Sequence, residues 1–321
     1  MINIATVHWQ TARWIDAQLH YVARSLDVPY RVFAALNGID DPTVWERFHF
    51  AADLEGGHAS KLNQLADVIA QSSDPDDILI FLDGDAFPVR PLSPWLEDTV
   101  RQFRLAAIRR DENLGDCQPH PSFCATTVGF WKDIEGDWMA GGTWVNTAGR
   151  EVADVGGNLL YALRQYNVDW LPLLRTNTHN PHPVWFGVYD HRIYHHGAGF
   201  QSTRVERVDW ASRYETNAAS GRSLRPTSAS PSLGTLRAQL RADPRLLRRL
   251  RPRHVSRLTS AVVKTVRLRL EHRHYLRLTS TERAQRLEAL GEDVFRRLSL
   301  DDDFYREFDD SVSSDPPGTS A

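Results

Sequence analysis

Lysine is scarce in this chain: Lys61, Lys132 and Lys264 stand against 35 arginines in 321 residues. That bias fits GC-rich coding sequence and points to no function. Cysteine is scarcer still. Cys117 and Cys124 are the only two, with no partners at zinc spacing, so neither a disulfide framework nor a thiolate metal cluster is expected. A reducing compartment follows. No apolar run approaches the roughly 18–20 residues that span a bilayer. Residues 1–9, MINIATVHW, carry no basic n-region and no long apolar core, so no secretory leader is expected. The expected location is cytoplasmic. There is no internal repeat and no recognised nucleic-acid-binding motif, and nucleic acid is not an expected partner.

What is present is enough apolar material for a substantial core, with 41% hydrophobic and 10% aromatic residues. The length suits one α/β domain plus something smaller. Strands are predicted over 2–9, 30–36, 48–52, 78–82, 105–109 and 168–174, and a closing hairpin over 184–188 and 192–195. Helices are predicted over 14–26, 58–71 and 155–166. Alternation of this kind gives a doubly wound, mostly parallel, Rossmann-like sheet. Residues 115–150, rich in Gly, Pro and Trp, read as an irregular substrate-loop region. A catalytic domain over 1–210 is expected, then a Ser/Ala/Arg/Pro-rich linker over 211–232. A helical extension over 233–310 and a disordered tail over 311–321 complete the chain.

The net charge of −3 hides an asymmetry in that extension. Residues 237–277 hold 13 Lys/Arg against Asp243 and Glu271, and an acidic segment, 282–310, follows. Leucines and valines at helical spacing make the basic part amphipathic. It reads as a solvated helix face or as a surface for anionic membrane, which would put the protein on the inner face of the membrane.

One stretch points to chemistry. Ile78-Leu79-Ile80-Phe81-Leu82 runs straight into Asp83-Gly84-Asp85. Five large apolar residues make a strand buried on both faces, and ligands of open α/β sheets bind beyond such strand ends. Asp-Gly alone is a common turn. Two carboxylates in that position, however, suit a hard divalent cation, Mn2+ or Mg2+, holding a phosphate ligand. Asp85 is the expected direct ligand, with Asp83 binding the metal through water or contacting the ribose. His195-His196 precede Gly197-Ala198-Gly199, where glycines let backbone approach a phosphate. His196 is taken as the third ligand, with the choice between it and His195 left open.

These features together resemble the A-type glycosyltransferase fold and, in part, its glycogenin-type branch. The matching elements are Asp83-Gly84-Asp85, the pair Lys61-Leu62 on the preceding helix, and His196 with Gly199 three residues on. The resemblance covers about residues 1–205. It implies a metal-dependent transfer of sugar from a UDP- or GDP-linked donor, with the D-x-D and late His holding the metal and Lys61 near the donor. The sequence departs from that branch at Phe200-Gln201-Ser202, where the branch has Lys-Pro-Trp. Subfamily and stereochemistry are therefore left open.

Further donor contacts are expected from Thr6, His8, Asn37, Gly197 and Gly199. Acceptor-side candidates are Arg109, His120, Trp131, His179 and Asn180. Asp154 stands before a helix, where an acid either caps the helix or serves as base or sugar contact. The expected acceptor bears sugar and is lipid-linked or a cell-envelope glycan. Two alternatives stand beside this reading. A phosphatase of the haloacid-dehalogenase type also ends a strand in D-x-D, but on its first strand. The other is a non-catalytic nucleotide- or sugar-binding protein.

Overall fold

Residues 78–82 alternate between two apolar cores, as a strand buried on both faces must. Ile78, Ile80 and Leu82 join one core, and Leu79 and Phe81 the other. The structure, a computed structural model, describes residues 1–147, 149–182, 184–197 and 280–309. The first half runs β1 (Ile2–Trp9), α1 (Ile15–Ser25), β2 (Tyr30–Asn37), α2 (Pro42–Trp45), β3 (Phe50–Ala52), α3 (His58–Gln71), β4 (Ile78–Asp83), β5 (Ala86–Pro88), α4 (Ser93–Phe103) and β6 (Leu105–Ile108). The chain continues through β7 (His120–Thr127), α5 (Val128–Asp133), β8 (Trp144–Val145), β9 (Glu151–Val152), α6 (Gly157–Gln165), β10 (Leu171–Leu173), β11 (Gly187–Tyr189) and β12 (Ile193–His195). The described residues close with α7 (Ser280–Leu300) and a 3₁₀ turn, Phe304–Glu307.

Seven strands form the central sheet in the order β10-β6-β7-β4-β1-β2-β3. All neighbours are parallel except those of β7, which runs antiparallel to both β4 and β6. Helices α1 and α4 cover one face, and α3, α5 and α6 the other. This is the doubly wound α/β arrangement expected.

The expectation of an irregular 115–150 is corrected by β7, a strand in the middle of the sheet. Its sequence, HPSFCATT, lacks the large β-branched run that marks a strand. Small residues suffice because β4 and β6 flank it on both edges, and Pro121 sits near its start, where a missing N–H is tolerated.

A second, three-stranded sheet has the order β11-β12-β5 and is antiparallel throughout. It rests on a third core. Phe87, Val188 and Tyr194 pack there with Trp14 and Tyr21 of the α1 region. Leu287, Val294 and Leu298 of α7 and Phe304, Tyr305 and Phe308 after it belong to the same core. Helix α7 and the turn after it form part of the wall behind the small sheet. No helix among the described residues is long and apolar enough to cross a membrane. The linker at 211–232, the basic segment at 237–277 and the tail at 311–321 lie outside the described residues.

Candidate active site

The D-x-D turn is where the two sheets join. β4 ends at Asp83, and three residues later the chain has entered β5 of the small sheet. Gln18 of α1 fixes that turn from below. Its amide nitrogen donates to Asp83 O at 2.7 Å and to Ala86 O at 3.0 Å. Its Oε1 accepts from Thr6 Oγ1 at 3.1 Å and lies 3.1 Å from His8 Nε2. Thr6 and His8 are fully buried, each beside the Gln18 side chain. Gln18 itself, polar and interior on an amphipathic helix, was not singled out in the sequence.

Opposite the turn, the register pairs His195 with Ala86. That pairing brings His195 Nε2 to 3.7 Å from Asp83 Oδ2 and 3.6 Å from Asp85 Oδ1. One ligand atom from each residue lies within 4.8 Å of the others. Two atoms each about 2.1 Å from one ion stand between about 3 Å apart in cis and about 4.2 Å in trans. The two distances from His195 fall inside that range, and they are too long for hydrogen bonds. Two carboxylates and an imidazole suit Mn2+, and Mg2+ less well because of the nitrogen. The residues present therefore fit a divalent cation.

The expected ligand His196 is not in this cluster, and the correction is one residue. Successive side chains along an extended strand point to opposite faces. With His195 toward the carboxylates, His196 turns into the third core, 4.5 Å in ring centroids from Trp14 and 4.9 Å from Phe186. Its Nδ1 is 3.1 Å from Tyr194 Oη. Burial, then the neighbouring His195 and Arg13, holds its pKa well below the usual histidine value. Gly197 follows with φ +75°, a left-handed conformation that favours glycine. Gly199 lies outside the described residues.

Imidazoles crowd the carboxylates. His58, the first residue of α3, places Nε2 3.1 Å from Asp83 Oδ1. It was missed in the sequence, although its position after Gly56-Gly57 at the carboxyl edge of the sheet marks it. Burial alone raises the Asp83 pKa. The charges of His58, His120 and His195, with the His58 hydrogen bond, reverse this and hold it well below the carboxylate range. His120 stands at the start of β7, its ring centroid 5.8 Å from that of His195. Its Nδ1 accepts from Ser122 N at 3.2 Å. Burial, then Arg110, pushes its pKa well down.

The donor-side candidates cluster at the ends of β1–β3. The Asn37 amide donates to Asp53 and to Leu54 O at 2.8 Å. Lys61 Nζ lies over the Trp9 ring, 4.3 Å from its centroid. Burial lowers its pKa and Asp53 partly restores it. Trp9, 43% exposed beside it, was not expected at the site.

The acceptor-side candidates scatter. His120 joins the site. Trp131 does not: it is buried against Phe81, ring centroids 4.6 Å apart, and is a core residue rather than a sugar platform. Arg109 pairs with Asp111 at 2.7 Å. His179 and Asn180 lie on the loop whose backbone is pinned by Phe308 O and do not belong to the metal cluster. Asp154 is not the helix cap, since Gly156, with φ +88°, holds that position. Asp154 is half-buried, accepts from Val155 N at 2.8 Å, and adds its charge at Arg110.

No family model and no curated protein matches this chain. Solved structures do. S. aureus TarS, residues 1–349, is 13% identical over 43% of this chain and 50% of that one, with a TM-score of 0.31. The chain thus spans about half the length of that relative. Galactosyltransferase LgtC, in complex with donor and acceptor sugar analogs, is 13% identical over 52% of this chain and 72% of that one, at 0.33. Mannosyltransferase PcManGT from Pyrobaculum calidifontis, in complex with GDP-Man and Mn2+, is 13% identical over 98% of this chain and 88% of that one, at 0.40. Likeness at this level leaves the reading of the site to its own geometry.

Proposed function

We propose that this chain is a metal-dependent glycosyltransferase that moves a sugar from a UDP- or GDP-linked donor to a sugar-bearing acceptor. The observation that carries the proposal is the Asp83/Asp85/His195 donor set at the carboxyl end of β4. Those three residues would hold Mn2+ or Mg2+, and an ion bound there would supply Lewis-acid stabilisation of the departing diphosphate. The protein adds its own positive charge nearby. His58 holds Asp83 in place, and Lys61 stands on the nucleotide side with Asn37 and Asp53. The backbone at Gly197 approaches the phosphates. On the opposite side His120 and Arg109 line the acceptor, and Asp154 contacts sugar hydroxyls.

The acceptor is lipid-linked or a cell-envelope glycan. The basic stretch 237–277 brings the protein to anionic lipid on the inner face of the membrane, with electrostatic attraction of about 1 kcal/mol per basic residue near the surface. Pelleting with vesicles of anionic and of neutral lipid, with and without that stretch, tests this part. Binding that ignores lipid charge rejects it. The main test is a panel of UDP- and GDP-sugars with Mn2+, scored for donor hydrolysis and for transfer. Release of nucleoside diphosphate that requires Mn2+ and is lost in Asp85→Ala is the expected result.

A further inference from the structure

We infer that Trp9 is the platform on which the donor's nucleobase stacks, and that the Asn37–Asp53 edge beside it selects guanine over uracil. This deepens the glycosyltransferase reading above and rests on it. Trp9 is the last residue of β1 and is 43% exposed, although every other residue of that strand is buried. An indole left open at the carboxyl end of a parallel strand stands where ligands of open α/β sheets bind.

The sheet register places that indole beside the metal cluster. β1 pairs in parallel with both β4 and β2, matching Val7 with Asp83 and Trp9 with Asn37. Paired residues point to the same face, and residues two apart along a strand share it. Val7 and Ala35 lie in the core under α3. Asp83, Trp9 and Asn37 therefore turn toward the α3 side of the sheet edge. Trp9 stands one strand over from Asp83 and about 6.6 Å further along the strand direction. One face of α3 meets all of this. His58 Nε2 is 3.1 Å from Asp83 Oδ1, and Lys61 Nζ, one helical turn on, lies 4.3 Å from the Trp9 ring centroid.

Asn37 and Asp53 border the indole. The Asn37 amide nitrogen uses both of its hydrogens, one on Asp53 Oδ1 and one on Leu54 O at 2.8 Å. Asn37 Oδ1 is buried and, among the described residues, has no hydrogen-bond partner. Asp53 is exposed, and an ionised carboxylate only accepts. The edge thus offers oxygen acceptors and no amide donor. Guanine presents two adjacent donors, N1–H and the 2-amino group, which one carboxylate can take together. Uracil presents a single N–H between two carbonyls, and those carbonyls would face oxygens here.

The platform is held in place from two sides. Lys61 fixes the ring by its cation–π contact. Directly after Trp9 the chain turns at Gln10, with φ 59°, and Gln10 N donates to Asn37 O at 2.7 Å. That turn ends β1 and ties the backbone of the indole to β2. Stacking on the exposed part of the ring serves any base, because every base has a π-face. The hydrogen-bonding edge makes the choice among them.

The test titrates GDP, UDP and inorganic pyrophosphate into the full chain with Mn2+, by calorimetry. The wild type should bind GDP at least about 10-fold more tightly than UDP, the discrimination one bidentate contact supplies. Trp9→Ala should weaken GDP binding by about 10–100-fold, the loss of one base–aromatic stack, and Trp9→Phe should recover most of it. Pyrophosphate has no base and should bind both variants as it binds the wild type. Asp53→Asn, which offers a donor beside an acceptor, should narrow the preference for GDP or reverse it. The inference is overturned by UDP binding more tightly than GDP in the wild type, by unchanged GDP binding in Trp9→Ala, or by pyrophosphate binding that falls in step with GDP in a folded Trp9→Ala protein. A wild type that binds neither nucleotide with Mn2+ overturns the glycosyltransferase reading, and this inference with it.

Discussion

The large sheet and the small sheet supply different parts of the site and are assembled by different routes. The large sheet delivers Asp83 and Asp85 from a single local feature, an apolar strand that ends in two acids. The small sheet delivers His195, and it needs three distant segments to do so. β5 follows directly on the D-x-D, β11 and β12 come about a hundred residues later, and the 280–309 segment closes their far side. Thr178 N and His179 N both donate to Phe308 O, at 2.8 and 3.0 Å, and the buried Asp309 accepts from Thr176 Oγ1 and from His191 Nδ1, each at 2.7 Å. The acids are therefore set by the strand that carries them. The histidine is set by packing far from the metal.

That difference predicts where each sheet breaks. Asp85→Ala should have the largest effect. Loss of groups outside a metal's ligand shell costs about 10–100-fold in affinity, so removing a buried ligand should reduce Mn2+-dependent nucleotide binding by about 100-fold or more. Calorimetric titration checks this, and the melting temperature should hold because a buried carboxylate has gone. Phe308→Ala should do the reverse. It should destabilise the protein by about 3–5 kcal/mol, the usual cost of a buried Phe→Ala change, read by urea unfolding. It should also weaken metal binding by loosening the hairpin that carries His195. Unchanged metal affinity in a folded Phe308→Ala protein would separate the small sheet from the site.

The effect of pH reaches both sheets, and in the large sheet it is carried by His8. Burial holds His8 at about 4, although its Gln18 bond pulls the other way. In the unfolded chain it titrates at about 6.5. Between those values the unfolded chain binds a proton that the folded one does not. Stability present above pH 6.5 is thus lost as pH falls toward 4, by about 3 kcal/mol from this residue. His120, His182 and His196 shift in the same direction. Urea unfolding at pH 7 and pH 4.5 should show the loss, and His8→Gln should flatten part of it. An identical slope in that variant would assign the acid loss to other groups.

The two sheets also differ in how legible they are in the sequence. β1, β2, β4 and α3 follow from apolar spacing, and so does the place of Asp83 and Asp85. β7 does not, because flanking strands rather than its own residues make it a strand. The choice between His195 and His196 depends on the register of β12 against β5, and a one-residue shift exchanges the two faces. Gln18 carries no local pattern. Its role comes from what the fold places within hydrogen-bond reach. Trp131 shows the opposite error, an aromatic that suggested a sugar platform and is part of the core.

The most direct measurement is calorimetric titration of UDP and GDP, with and without Mn2+, into the wild type and into His195→Ala and His196→Ala. Wild-type binding of one nucleotide should require Mn2+. His195→Ala, which also removes a ligand, should lose about 100-fold or more in that binding while keeping its melting temperature. His196→Ala should keep the binding but melt lower, by about 2 kcal/mol of stability. Mn2+-dependent binding that survives in His195→Ala and fails in a well-folded His196→Ala would contradict the account.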